Sequence, residues 1–175
     1  DDAAGESYDK VARLLQLGYP GGPVIDKLAK NGNPNKIQFT KSKFKTEDPE
    51  NEFGFSFSGL KTAVINYFRK HPDEKPEDIC ASFQKTVVDT LVEKTIAAAD
   101  KYKIDKIFLA GGVAANSELR EALQIRGKEA GKKVSIPPFK LCTDNAAMIG
   151  GAAIRKLLNS DFAATSIKAT PSWKL

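Results

Sequence analysis

The sequence predicts an α/β fold, and three observations carry that prediction. In the second half the patterns alternate helix, strand, helix, strand, helix. The run Ile107-Phe108-Leu109-Ala110 is a short apolar strand that enters Gly111-Gly112 and then a helix opened by Asn116. A second run, Thr143-Asp144-Asn145-Ala146-Ala147, opens another helix with a carboxylate. A glycine turn feeding a helix start brings bare backbone N–H groups close to an anionic ligand, and a carboxylate at a second helix start can reach a metal or a phosphate-bound cation. Together the two runs point to a nucleotide site built from strand ends.

The elements follow in chain order. Tyr8, Val11, Ala12, Leu14 and Leu15 form a helical stripe over residues 7–17, stopped by Gly18. Tyr19-Pro20-Gly21-Gly22-Pro23 is a rigid turn whose last proline suits the first turn of a helix through Lys30. Residues 36–57 alternate weakly through Ile37, Phe39, Phe53, Phe55 and Phe57 and read as short strands or extended loop. Ser58 is placed to cap a helix over residues 59–69, broken at His71-Pro72. Pro76 starts the longest helix, to about Tyr102, with Ile79, Phe83, Val87 and Leu91 burying one face. Residues 104–110 are a strand. A helix follows from Asn116 to about Lys128, ended by Gly131. Residues 133–136 are a second strand, and the last helix spans 144–158. Its Gly150 and Gly151 exchange helix propensity for close packing against another helix or beneath a nucleotide.

Composition sets the bounds. The 175 residues are 41% hydrophobic and 28% charged, with net charge +5, which fits one globular domain and a mild basic bias compatible with nucleic acid. Cys80 and Cys142 lack metal-ligand spacing, so a reduced, cytosolic setting is expected. No apolar run approaches the ~18 residues that span a bilayer. The chain opens Asp1-Asp2-Ala3-Ala4-Gly5 without methionine and shows only two clear strands, so it is expected to be part of a longer protein with further strands upstream.

Several side chains admit both a structural and a ligand role. Asn116 is a good N-cap and equally a partner for a ribose or phosphate. Asp144 is stabilised by a helix dipole and could also ligate a cation. Asp1, Asp2, Glu6 and Asp9 are a solvated first turn or a ribose- or metal-binding wall, with Gly21-Gly22 able to approach the same ligand. Lys36, Lys41, Lys43 and Lys45, interleaved with Phe39 and Phe44, are a solvated loop or an RNA-backbone contact. A Gly-x-x-x-x-Gly-Lys-Ser/Thr loop and a His-Glu-x-x-His helix are both missing, and His71 is the one histidine, expected exposed.

Five ordered blocks carry a resemblance to a known family: Asp1 to Lys10, Tyr19 to Pro23, Phe55 to Val64, Gly111 to Asn116, and Thr143 to Gly150. Over residues 1 to about 158 the chain resembles the C-terminal part of the tRNA adenosine threonylcarbamoyltransferases, formerly called glycoproteases or O-sialoglycoprotein endopeptidases, and their bacterial or organellar branch most closely. The resemblance implies an actin-like ATPase fold (ribonuclease H-like, shared with heat-shock chaperones and sugar kinases). Residues 1–175 would be part of its second lobe, with the N-terminal lobe absent. It implies transfer of threonylcarbamoyl from threonylcarbamoyl-AMP to the N6 amine of the adenosine beside the anticodon.

By motif position Asp9, Gly22, Asp26 and Asn116 would bind the adenylate or ATP, the two aspartates holding ribose hydroxyls. Asp144 would ligate a divalent metal, iron or zinc. The implied partners are tRNA, a paralogous non-catalytic subunit and an ATPase protein. The implied setting is cytoplasmic or an organellar matrix, with no membrane and with oligomerisation left open. The chain departs from the family in lacking its His-x-x-x-His metal helix and its upstream Ser-Gly-Gly-His phosphate turn, so this chain alone is expected to be inactive. The competing readings are a sugar or acetate kinase-like ATPase, a non-catalytic partner-binding scaffold and, weakest, the old metalloprotease label.

Overall fold

The structure is a computed structural model and describes residues 3–41 and 52–168. The chain forms two compact units, Asp1–Cys142 and Thr143–Leu175. In the first unit the helices α1 (Ala4–Leu14), α2 (Gly21–Ala29), α3 (Ser58–Lys70), α4 (Pro76–Lys101) and α5 (Ser117–Glu129) surround one short parallel sheet. That sheet pairs β1 (Lys106–Phe108) with β2 (Lys133–Ser135), in the register Ile107 opposite Val134. α5 is the crossover, so β1-α5-β2 is the α/β unit that the alternating pattern predicts. The strands are shorter than the apolar runs, and among the described residues they pair only with each other. Ile107 faces the core, while Phe108 is 73% exposed.

α4 is the axis of this unit. Instead of one buried face, residues 79–84 are all buried, because α2, α3 and α5 pack around the helix. Thr86, Thr90 and Thr95 return their hydroxyls to the carbonyls of Ser82, Thr86 and Leu91, which satisfies polar groups on an enclosed helix. Tyr8, Val11, Ile25, Val64, Ile79 and Phe83 form the core on one half of α4. Val88, Val92, Ile107, Leu119 and Leu123 form it on the other half. Each such side chain removed from water contributes roughly 1.5–3 kcal/mol. The Tyr8 and Phe83 rings meet edge to face at 5.1 Å.

α1 and α2 cross in backbone contact. A Cβ on Gly21 would lie 2.6 Å from the Tyr8 carbonyl oxygen and 2.7 Å from Asp9 Cα, so only glycine fits there.

Several boundaries differ from the sequence expectation. α1 ends at Leu14 rather than beside Gly18, because Gln16 turns left-handed (φ 56°) and the Leu17 N–H reaches the Ala12 carbonyl at 2.9 Å. Phe57, not Ser58, is the N-cap residue of α3. Residues 36–41 and 52–57 hold no strand; Ile37 bonds Ser82 Oγ through its N–H, and Phe39 packs on Tyr67. The lysine-rich part of that segment, residues 42–51, lies outside the described residues.

The second unit contains α6 (Ala146–Leu158), none of whose residues is buried. Its cap is Asn145, whose side chain accepts the Met148 N–H at 3.1 Å, so Asp144 precedes the helix rather than opening it.

Candidate functional site

The candidate site of the first unit is a relay of helix starts capped from a distance. A helix start leaves N–H donors without intrahelical partners. The start of α2 has no local side-chain cap, and Asp9 of α1 fills the role: its Oδ1 accepts the Gly21 N–H at 2.7 Å. One element on, Asp26 of α2 serves the start of α5. Its Oδ1 accepts the Ser117 N–H at 3.2 Å and the Ser117 hydroxyl at 2.8 Å. Asn116 completes the α5 start by accepting the Leu119 N–H at 2.8 Å. Asp9 thus serves the start of α2, which contains Gly22, and Asp26 and Asn116 serve the start of α5.

Asn116 is 8% exposed and sits in a polar network inside the core. Its Nδ2 donates to Gln84 Oε1 at 2.7 Å, with Tyr8 Oη at 3.4 Å. Gln84 Nε2 in turn donates to Glu118 Oε2 at 2.9 Å. Burial raises the Glu118 pKa, opposed by the hydrogen bond from Gln84. Burial, followed by the nearby Glu118 and Asp26 carboxylates, pushes the Tyr8 phenol well above its ordinary value.

The glycine turn lies just before Asn116. Gly111 has φ 86°, a left-handed conformation that leads into a single 3-10 turn, Gly112–Ala115. Arg120 clasps this turn, donating to the Ala114 carbonyl at 2.9 Å and to the Pro137 carbonyl at 2.8 Å while stacking on Phe139. At Gly22 and Gly112 a Cβ would meet nothing within 4 Å, and neither residue has a left-handed φ. Packing therefore explains glycine at 21 but not at 22, where the bare backbone borders open space. Asp9 also lines an open cleft of about 400 Å³ with Arg13, Gln16, Gly18 and Tyr19. Carboxylates with unused lone pairs, an open glycine backbone and a carboxamide are the groups that suit ribose hydroxyls and a nucleotide phosphate.

The sequence singled out Asp9, Gly22, Asp26 and Asn116; Asp26 and Asn116 meet at the start of α5, and Asp9 holds the start of α2, whose second residue is Gly22. It did not single out Gln84, Ser117, Glu118 or Arg120. Gln84 carried a signal: an amide among the core-facing residues of α4, between Phe83 and Val87. Arg120 carried none. Asp144 is exposed and belongs to the second unit. Among the described residues no three His, Cys, Asp or Glu side chains form a group able to hold a metal. The described residues alone therefore do not supply a complete set of metal ligands. His71 is exposed and stacks on Tyr67 at 4.4 Å. Cys80 and Cys142 are free and buried, and burial pushes the Cys80 thiol up to about 12. Lys41 pairs with Glu93 at 2.6 Å. No helix among the described residues is long and apolar enough to cross a membrane.

An α/β unit with glycine turns set against helix starts is one broad class of nucleotide-site scaffold, and comparison with known proteins narrows it. The family model described as TsaD, tRNA N6-adenosine threonylcarbamoyltransferase, matches residues 1–151. The chain belongs to that family. A tRNA N6-adenosine threonylcarbamoyltransferase of Clostridium botulinum (strain 657 / Type Ba4) is 52% identical over 100% of this chain and 52% of its own length. The same-named protein of Moorella thermoacetica is also 52% identical, over 100% of this chain and 51% of its own. That of Thermotoga neapolitana is 49% identical, over 98% and 51%. The chain spans about half the length of the curated relatives it matches.

Proposed function

We propose that the full-length protein containing this chain makes N6-threonylcarbamoyladenosine in tRNA, transferring threonylcarbamoyl from its adenylate to the N6 amine beside the anticodon. In this reading the chain is part of the second lobe of an actin-like ATPase fold and supplies the adenylate-binding face. Asp9 and Asp26 accept ribose hydroxyls with the lone pairs their capping bonds leave free. Gly22 admits the ligand against bare backbone, and Asn116 contacts it from the end of the glycine turn. The observation that carries the proposal is that Asp26 and Asn116 both serve the start of α5 while Asp9 serves the start of α2 beside Gly22. Family membership and the names of the relatives support the chemistry.

The remaining expectations belong to the same reading. tRNA is the substrate, a paralogous non-catalytic subunit and an ATPase are partner proteins, and the setting is cytoplasmic. Asp144 supplies one ligand of a divalent metal, iron or zinc, whose other ligands come from outside this chain. No step is derived through that metal. The kinase-like, scaffold and metalloprotease readings have no observation in their favour.

The test is modification of unmodified tRNA by the full-length protein with threonine, bicarbonate, ATP and its partner proteins, read by nucleoside mass spectrometry. The threonylcarbamoyl nucleoside is expected from wild type and is expected to be strongly reduced by Asn116→Ala. A folded wild-type protein yielding none overturns the proposal.

A further inference from the structure

Two loops leave the carboxyl ends of the paired strands. Residues 109–116 follow β1 and contain the glycine turn, and residues 136–142 follow β2. In a parallel sheet with helical crossovers, ligands meet the crevice at this end of the strands. Gly111 needs glycine for its φ of 86°. Gly112 does not: its φ is not left-handed, and a Cβ on it would meet nothing within 4 Å. Neither conformation nor packing requires glycine there, and the bare backbone is open to a ligand.

The turn's own hydrogen bonds fix its shape. The Ala114 N–H reaches the Gly111 carbonyl and the Asn116 N–H reaches the Val113 carbonyl, each at 3.0 Å. Those bonds do not set how far the turn stands from the loop after β2. Among the described residues, Arg120 is the side chain with hydrogen bonds to both loops. Its Nη1 donates to the Ala114 carbonyl at 2.9 Å and to Cys142 Sγ at 3.5 Å, and its Nη2 donates to the Pro137 carbonyl at 2.8 Å. The guanidinium lies 4.5 Å from the centre of the Phe139 ring, a stack that holds the plane of the fork. Arg120 stands on the first turn of α5, so a helix carries this fork between the two loops. A lysine ammonium is a point charge and cannot offer the same planar pair of donors.

We propose that Arg120 is a positioning residue for nucleotide binding: it sets the spacing between the glycine turn and the loop after β2, and so the place of the Gly112 backbone that the ligand meets. This rests on the reading of the chain as the adenylate-binding face.

The experiment measures ATP affinity by calorimetry and the unfolding midpoint for the full-length protein and four variants: R120M, R120K, R126M and G22V. R126M is the control. Arg126 stands on the same helix but pairs with Asp89 at 2.9 Å and Glu93 at 3.4 Å, so its loss removes ion pairs without touching either loop. R120M is expected to weaken ATP binding about tenfold and R120K about threefold, while R126M stays within about twofold of wild type. In turnover the R120M loss is expected in KM for the adenylate, with kcat largely kept. If R120M does not fold, R120K decides, with its threefold loss expected. Wild-type affinity in the Arg120 variants while G22V binds weakly leaves Arg120 a structural residue only and overturns its proposed role. An equal loss in R126M overturns it too. Unchanged affinity in G22V overturns the underlying reading of the adenylate face instead.

Discussion

At the scale of single residues the site is built from side chains that serve the fold first. Asp9, Asp26 and Asn116 each cap a helix start, and each retains hydrogen-bonding capacity beyond that bond. The fold opposes the ionisation of Glu118, because burial raises its pKa. The sign follows from linkage: with the folded pKa above the unfolded one, its contribution to stability is full below the unfolded value and is lost as pH rises through the folded one. Glu118→Gln is therefore expected to raise stability relative to wild type at neutral pH, with the difference shrinking as pH falls toward the ordinary carboxylate range. Paired denaturation curves at several pH values check this. A gap that widened on acidification would contradict it.

Caps explain which residues were legible in the sequence. Asn116 could be read because a local N-cap needs only its own position before a helical pattern. The caps from Asp9 and Asp26 could not, because each joins residues distant in the chain, 12 and 91 positions apart, and no periodicity records such a pair.

At the scale of elements, helix type and order were legible, and so were most helix ends, with α1 the exception. α1, α4, α5 and α6 all finish in the same way, with a left-handed residue after the C-cap and a backbone N–H reaching back over the last turn. Only α5 uses glycine for it, at Gly131, and its end was legible nearly to the residue. α4 and α6 use Lys103 and Ser160, and their ends were still read correctly, whereas α1, which uses Gln16, ends at Leu14 rather than Leu17. Lys103→Gly is expected to relieve the left-handed strain at φ 54° and stabilise the first unit by about 0.5–1 kcal/mol. A thermal midpoint that fell would contradict this assignment. In residues 36–41 and 52–57 the loop alternative holds and the strand alternative does not. Their alternating aromatics are packing anchors, with Phe57 buried at 2% and Phe39 against Tyr67, rather than the pleat of a strand. In the opposite direction, Gly21→Ala is expected to destabilise by about 1–3 kcal/mol, because its Cβ would press into the α1 backbone. Chemical denaturation measures it, and a neutral result would mean that α1 and α2 do not cross there.

At the scale of the whole molecule, the chain is about half of what its relatives contain. The shortfall is visible in chemistry as well as in length. One unit assembles carboxylates, a carboxamide and open glycines suited to a nucleotide, yet no three metal-ligating side chains come together among the described residues. Under the proposed function, the role to test in this chain is nucleotide binding.

Gly22 is the position that tests the proposed binding role most cleanly, since a Cβ there meets no protein atom within 4 Å. The most direct measurement is calorimetric titration of ATP into the full-length protein, wild type beside Gly22→Val, with thermal unfolding followed in parallel. The account predicts at least about tenfold weaker binding by a protein that stays folded, since a Cβ at this position meets no protein atom within 4 Å. Equal affinity in the two proteins would contradict it.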